Sequence, residues 1–122
     1  MNPGDVQTIE TAAGVSPIPV PSATSVNTPA FRLDFADAFG VEFLAVCDGT
    51  PNIKVELEES MDGTNFVEPD GLEDIAVIGD ELRHIRQITP VPAKYGRFKL
   101  TGQGANPADT TLQIKLFRQE QV

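Results

Sequence analysis

The stretch 94–118, KYGRFKLTGQGANPADTTLQIKLFR, holds two runs of alternating apolar and polar residues around a connection rich in Gly, Asn and Pro. In the first run Phe98 and Leu100 fall on one face and Arg97 and Lys99 on the other. In the second, Leu112, Ile114 and Leu116 alternate with Gln113 and Lys115. A period of two is the signature of a strand with one buried face. The stretch therefore predicts two antiparallel strands, Lys94–Thr101 and Thr111–Arg118, joined as a hairpin by the flexible segment Gly102–Asp109.

The same texture continues upstream. Phe31, Leu33 and Phe35 alternate with Arg32 and Asp34, and Ile53, Val55 and Leu57 alternate with Lys54, Glu56 and Glu58. Gly40–Asp48 is nearly continuously apolar, which predicts a central strand covered on both faces. Met61-Asp62-Gly63-Thr64-Asn65 is a tight-turn signal, because Asp-Gly supplies a positive φ. Ile75–Ile78 and Leu82–Thr89 add two shorter strands, with Pro90 and Pro92 confining the second to an edge. No window has a 3.6-residue apolar period. Seven or eight short strands with turns every 8–12 residues predict an all-β fold: an antiparallel β-sandwich, jelly-roll-like or Ig-like.

A compositional boundary falls near residue 30. Residues 1–30 hold five of the ten Pro, no aromatic, and no Lys or Arg. Pro17-Ile18-Pro19-Val20-Pro21 is extended by its fixed φ angles and is a poor donor to any sheet. This predicts two parts, an extended Pro-rich N-terminal arm (1–30) and a β-sandwich domain (31–122). Ile9, Val15, Ile18, Val20 and Val26 are the side chains such an arm has to bury on a partner.

Charge narrows the function. The 122 residues carry 18 acids against 9 Lys and Arg, a net charge of −9. This excludes nucleic acid as the default partner, since phosphate-backbone binding needs a basic stripe, and disfavours an anionic membrane surface. No apolar run is long enough to span a membrane, and no secretory leader is visible. One Cys and one His cannot form an internal disulfide or a four-ligand zinc site. The charge is also segregated: residues 48–81 hold eleven acids and one base (−10), and residues 82–118 seven bases and one acid (+6). Two readings follow. The blocks pair within the fold, or they join subunits through Arg83, Arg86, Arg97 and Lys99 against Glu73 and Asp74, and the two are compatible.

Catalytic constellations are weak. Cys47 and His84 make a nucleophile–base pair only if the fold brings them together, and Cys47 lies in an apolar run where a free Cys packs as a small hydrophobe. The doublets Glu58-Glu59, Glu73-Asp74 and Asp80-Glu81 point to opposite faces of a strand and read as solvated acids. Asp62, Asn65, Asp70, Glu73 and Asp74 are hard oxygen donors without EF-hand spacing. A sugar site has Tyr95 and the loop Gly102–Asp109 to draw on. No cofactor, catalytic or metal residue is assigned, and an enzyme is not expected.

The segment Val55–Phe66, in which an alternating strand runs into Ser60-Met61-Asp62-Gly63-Thr64-Asn65-Phe66, resembles a recurrent hairpin of β-sandwich proteins in tailed-phage virions. Tyr95–Gly102 with the final strand Thr111–Phe117 looks like the closing hairpin of that class. The resemblance covers about half the chain. It implies a non-enzymatic virion structural protein, most similar to the capsid decoration (cement) type. Such a protein is made in the host cytoplasm and sits on the capsid surface, with the major capsid protein and itself, as a homotrimer, for partners. Related hairpins also occur in carbohydrate-binding modules, which leaves a carbohydrate- or receptor-binding module of a tail, neck or cell-surface protein as the alternative.

Overall fold

A computed structural model describes residues 6–33, 39–69, 76–78, 83–88, 93–104 and 106–118. It is an antiparallel β-sandwich, and among the described residues there is no helix. The strands are β1 (Val6–Ile9), β2 (Ile18–Pro19), β3 (Thr24–Asn27), β4 (Phe31–Arg32), β5 (Phe39–Val46), β6 (Ile53–Ser60), β7 (Ala76–Ile78), β8 (Arg83–Ile88), β9 (Tyr95–Gly102) and β10 (Thr111–Arg118). One sheet, A, runs β1-β10-β5-β8 with β2 also on β10. The other, B, runs β3-β9-β6-β7 with β4 also on β9.

The ten segments occupy eight strand lines. β1 and β2 share one side of β10, and β3 and β4 share one side of β9. Pairing is then nested: β1/β2 with β10, β3/β4 with β9, β5 with β8, and β6 with β7. The chain behaves as one long hairpin rolled into two sheets, which is the winding of a jelly roll rather than of an immunoglobulin sandwich.

Alternation places the core between the sheets. β5 turns Phe39, Val41, Phe43 and Ala45 inward, β10 turns Leu112, Ile114 and Leu116, β6 turns Ile53, Val55 and Leu57, and β9 turns Phe98 and Leu100. Phe31, Phe39, Phe43 and Phe98 meet at ring-centroid distances of 5.2 to 6.5 Å, mostly tilted or edge-on, the arrangement aromatic quadrupoles favour. The outer face of β5 is half-buried, so the strand is central but not covered on both faces as its apolar run suggested.

Two expectations are corrected. First, β9 and β10 are not a hairpin. They lie in opposite sheets, and the connection after Gly102 arches over one end of the core. Alternation gives each strand one apolar face but does not say whether two such faces lie side by side or face to face. Second, residues 6–33 belong to the sandwich. They are extended, as their Pro content requires, yet Ile9, Ile18 and Val20 are buried in the chain's own core and Val26 packs against it, while Val15 is exposed. These buried side chains are covered by their own chain and are not presented to a partner. The Pro residues are accommodated at sheet margins: Pro19 pairs with Thr111 within a two-residue edge segment. Pro29 falls where β3 gives way to β4. There Asn27 pairs with Lys99 and Phe31 with Gly96, so four steps on one strand oppose three on the other, the count that defines a bulge. Thr28 bridges the gap: its N–H donates to Phe98 O, and Phe98 N–H donates to Thr28 Oγ1, both at 2.9 Å.

Asn106, 3% exposed, fastens the arch. Its Nδ2 donates to Val20 O at 2.7 Å. Its Oδ1 accepts from Asn52 N–H at 2.9 Å and from Thr110 Oγ1 at 3.1 Å. Beside it, a Cβ on Gly102 would collide with the Pro21 carbonyl oxygen, so glycine is what lets the crossing chain lie against β9.

Because Ile18 is fully buried within its own chain, Ile18→Ala should cost about 2–5 kcal/mol in urea unfolding of the isolated protein. Val15→Ala, at an exposed position, should stay within about 0.5 kcal/mol of wild type. Equal midpoints for the two variants would contradict this placement.

Candidate functional site

A densely hydrogen-bonded turn follows β6. Asp62 Oδ1 accepts from Thr64 N–H and Asn65 N–H, both at 2.8 Å, and Oδ2 accepts from Asn65 Nδ2 at 2.7 Å. Ser60 Oγ donates to Asp62 Oδ1 at 2.8 Å and accepts from the N–H groups of Asp62 and Gly63. The Asn65 and Thr64 backbone N–H groups, followed by the Asn65 amide and the Ser60 hydroxyl, hold the Asp62 carboxyl far below the usual carboxylate range. Gly63 adopts φ +79°, and Tyr95 lies against it. Val67 closes the hairpin by exchanging both backbone bonds with Glu59.

Next to the turn, Arg97 Nε donates to Glu58 Oε1 at 2.8 Å, and its guanidinium lies 4.3 Å from the centroid of Phe66. Glu58 and Arg97 are directly opposed on β6 and β9, as are Glu56 and Lys99. The acidic and basic blocks thus meet inside the fold, as the intramolecular reading expected. Arg83 reaches Glu42, an acid outside the 48–81 block, at 3.1 Å. Of the residues considered for subunit contacts, Arg97 and Arg83 are engaged within the chain, and Lys99 sits opposite Glu56. Arg86 is exposed, and Glu73 and Asp74 lie outside the described residues.

The outer face of sheet A has a different character. Leu44 and Val46 on β5, Ile85 on β8 and Phe117 on β10 occupy its outward positions around the Glu42–Arg83 pair. Ile85 is 70% exposed, Val46 57% and Phe117 41%. Phe117 is opposite Gly40, and its ring lies 3.5 Å from where a β-carbon on that glycine would sit, an ordinary van der Waals contact. Met61 and Val67 add exposed apolar side chains at the sheet B hairpin.

Several sequence candidates are not brought together. His84 pairs with Phe43 on β5, whereas Cys47 follows the end of that strand, four residues away, or about 13 Å at strand rise. Cys47 is half-buried and its Sγ contacts Gly49 O at 3.3 Å, so it is not the fully buried residue its neighbours suggested. Tyr95 opens β9 and Gly102 closes it, which puts Tyr95 and the 102–109 loop at opposite ends of a strand and not in one patch. Of the oxygen donors considered for a cation, Asp62 and Asn65 bond each other, and Asp70, Glu73 and Asp74 lie outside the described residues. Among the described residues no group of three His, Cys, Asp or Glu is placed to hold a metal ion.

Sequence reading missed Glu59, treated there as half of a solvated doublet. It continues the inward row Ile53, Val55, Leu57 and is 4% exposed. The period of two, carried one step further, contains that signal. No protein-family model matches the chain, and no curated protein matches it either.

A depressed folded-state pKa contributes stability above the unfolded value, here near 3.8, and that contribution is lost as pH falls through the folded value. Asp62→Asn should therefore lower Tm at pH 7, with the gap to wild type narrowing below about pH 4. A gap that stays constant between pH 7 and pH 2 would contradict the turn's dependence on the ionised carboxylate.

Proposed function

We propose that the protein is a non-enzymatic virion structural protein. In this reading it is a capsid decoration (cement) jelly roll that braces a phage head by binding between capsomers, with the major capsid protein and further copies of itself, as a homotrimer, for partners. The observation that carries the reading is the outer face of sheet A, where Leu44, Val46, Ile85 and Phe117 surround an ion pair on an open sheet. Exposed aliphatic and aromatic side chains mixed with a charge pair suit a protein–protein contact. A small-molecule site is typically a concave pocket. The Ser60–Phe66 hairpin adds the virion resemblance, and the jelly roll is an architecture used by capsid and lectin domains alike. Docking in this account uses the sheet face. Ile9, Ile18 and Val20 are buried in the chain's own core, so among the described residues these three side chains are not the docking contacts.

Repetition over a shell supplies avidity from modest single contacts, which is consistent with a face that is only partly apolar. The glycan-binding alternative loses its composite site, since Tyr95 and the 102–109 loop are separated by the length of β9.

Mass spectrometry and imaging of particles from the producing cell should find the chain at a fixed copy number per shell. Val46→Glu should leave Tm nearly unchanged, because the side chain is exposed, and lower shell occupancy by about tenfold. Particles that lack the protein, or full occupancy by the variant, would overturn the proposal.

A further inference from the structure

We propose that the outer edge of β8 is a docking edge for an extended, acidic segment of another protein, which adds a strand to sheet A alongside Arg83–Ile88. Among the described residues β8 is the last strand of its sheet and pairs only with β5. An edge strand leaves a row of backbone N–H and C=O groups that another strand can satisfy. Its sequence, RHIRQI, contains no Pro, no Gly and no acid.

The register shows what such a strand must carry. Phe43, Val41 and Phe39 face the core, so their partners His84, Arg86 and Ile88 occupy the core-facing row of β8. Arg83, Ile85 and Gln87 occupy the outer row. Arg86 is exposed despite its core-facing register. Arg83 is paired with Glu42, whereas Arg86 makes no ion pair among the described residues. An inward-pointing charge at a sheet edge discourages indiscriminate strand addition. The same charge admits a strand that brings its counter-ion, which turns a barrier into selectivity. The fitting occupant therefore places a carboxylate opposite Arg86 and, on its next residue, an apolar side chain beside Ile85. A second copy of β8 fits poorly, because it would gather the arginines of both chains along one seam. The proposal does not depend on the virion reading, since it follows from strand pairing and charge alone.

The test titrates isotope-labelled full-length protein with a synthetic octapeptide of alternating Val and Glu, and with the same peptide carrying Lys for Glu. Amide shifts should concentrate on β8, hydrogen exchange of β8 amides should slow, and the Lys peptide should bind about tenfold more weakly or worse. Arg86→Glu, with unchanged spectra elsewhere, should reverse the preference between the two peptides. The proposal is overturned by shifts centred outside β8, by equal binding of both peptides, by an Arg86→Glu protein that keeps the wild-type preference, or by no binding of the acidic peptide at millimolar concentration.

Discussion

One buried carboxamide joins three parts of the chain that are distant in sequence. Asn106 receives the Asn52 N–H from the β5–β6 connection, donates to the Val20 carbonyl in the crossing segment, and sits in the arch between β9 and β10. Each of those backbone groups, left without a partner in a buried position, costs about 1–3 kcal/mol. The side chain therefore fixes one end of the sandwich more by leaving no satisfactory alternative than by its own net strength. The glycine at 102 makes room for the same crossing. With this end tied, the Pro-rich segment becomes the strand lines that complete one side of both sheets.

That closure explains the nested pairing. A chain rolled as one long hairpin brings its ends together, so β1 reaches β10 across almost the whole sequence. Such contacts are entropically expensive to form, and the fully buried Ile18 and Val20 are part of what offsets them. The rolled hairpin also sets the charge pattern. Acidic β6 lies beside basic β9, which places Glu58 against Arg97 and Glu56 opposite Lys99. Half-buried cross-strand pairs of this kind contribute about 0.2–1 kcal/mol each, so their main effect is to fix register. The surfaces left over are the partly apolar outer side of sheet A and the basic strand β8 at its edge.

Strand positions were largely legible in the sequence, and their partners were not. Period-two alternation located β6, β9 and β10, a nearly continuous apolar run located β5, a short run ending before Pro90 located β8, and Asp62-Gly63 located the turn after β6. Alternation is blind to which sheet a strand joins, so β9 and β10 read as neighbours although they face each other across the core. Composition misled at the N-terminus. Five Pro and no aromatic describe a free arm as well as they describe edge segments that need few donors, and only the buried Asn106, Thr28 and Val20 contacts separate the two. For the candidate site, the Ser60–Phe66 turn was visible as a motif. The exposed row Val46, Ile85 and Phe117 was not, because each residue sits in a different strand and only the register assembles them.

The central claim is that the N-terminal segment is part of the fold and is fastened inside it. Native-state hydrogen exchange of the Val20 and Thr28 amides, which donate to Thr110 O and Phe98 O at 2.9 Å, tests it most directly. The account predicts protection matching that of the β10 core amides, with all of them exchanging through the same global opening. Exchange of Val20 and Thr28 at the rate of exposed loops, while β10 stays protected, would contradict it.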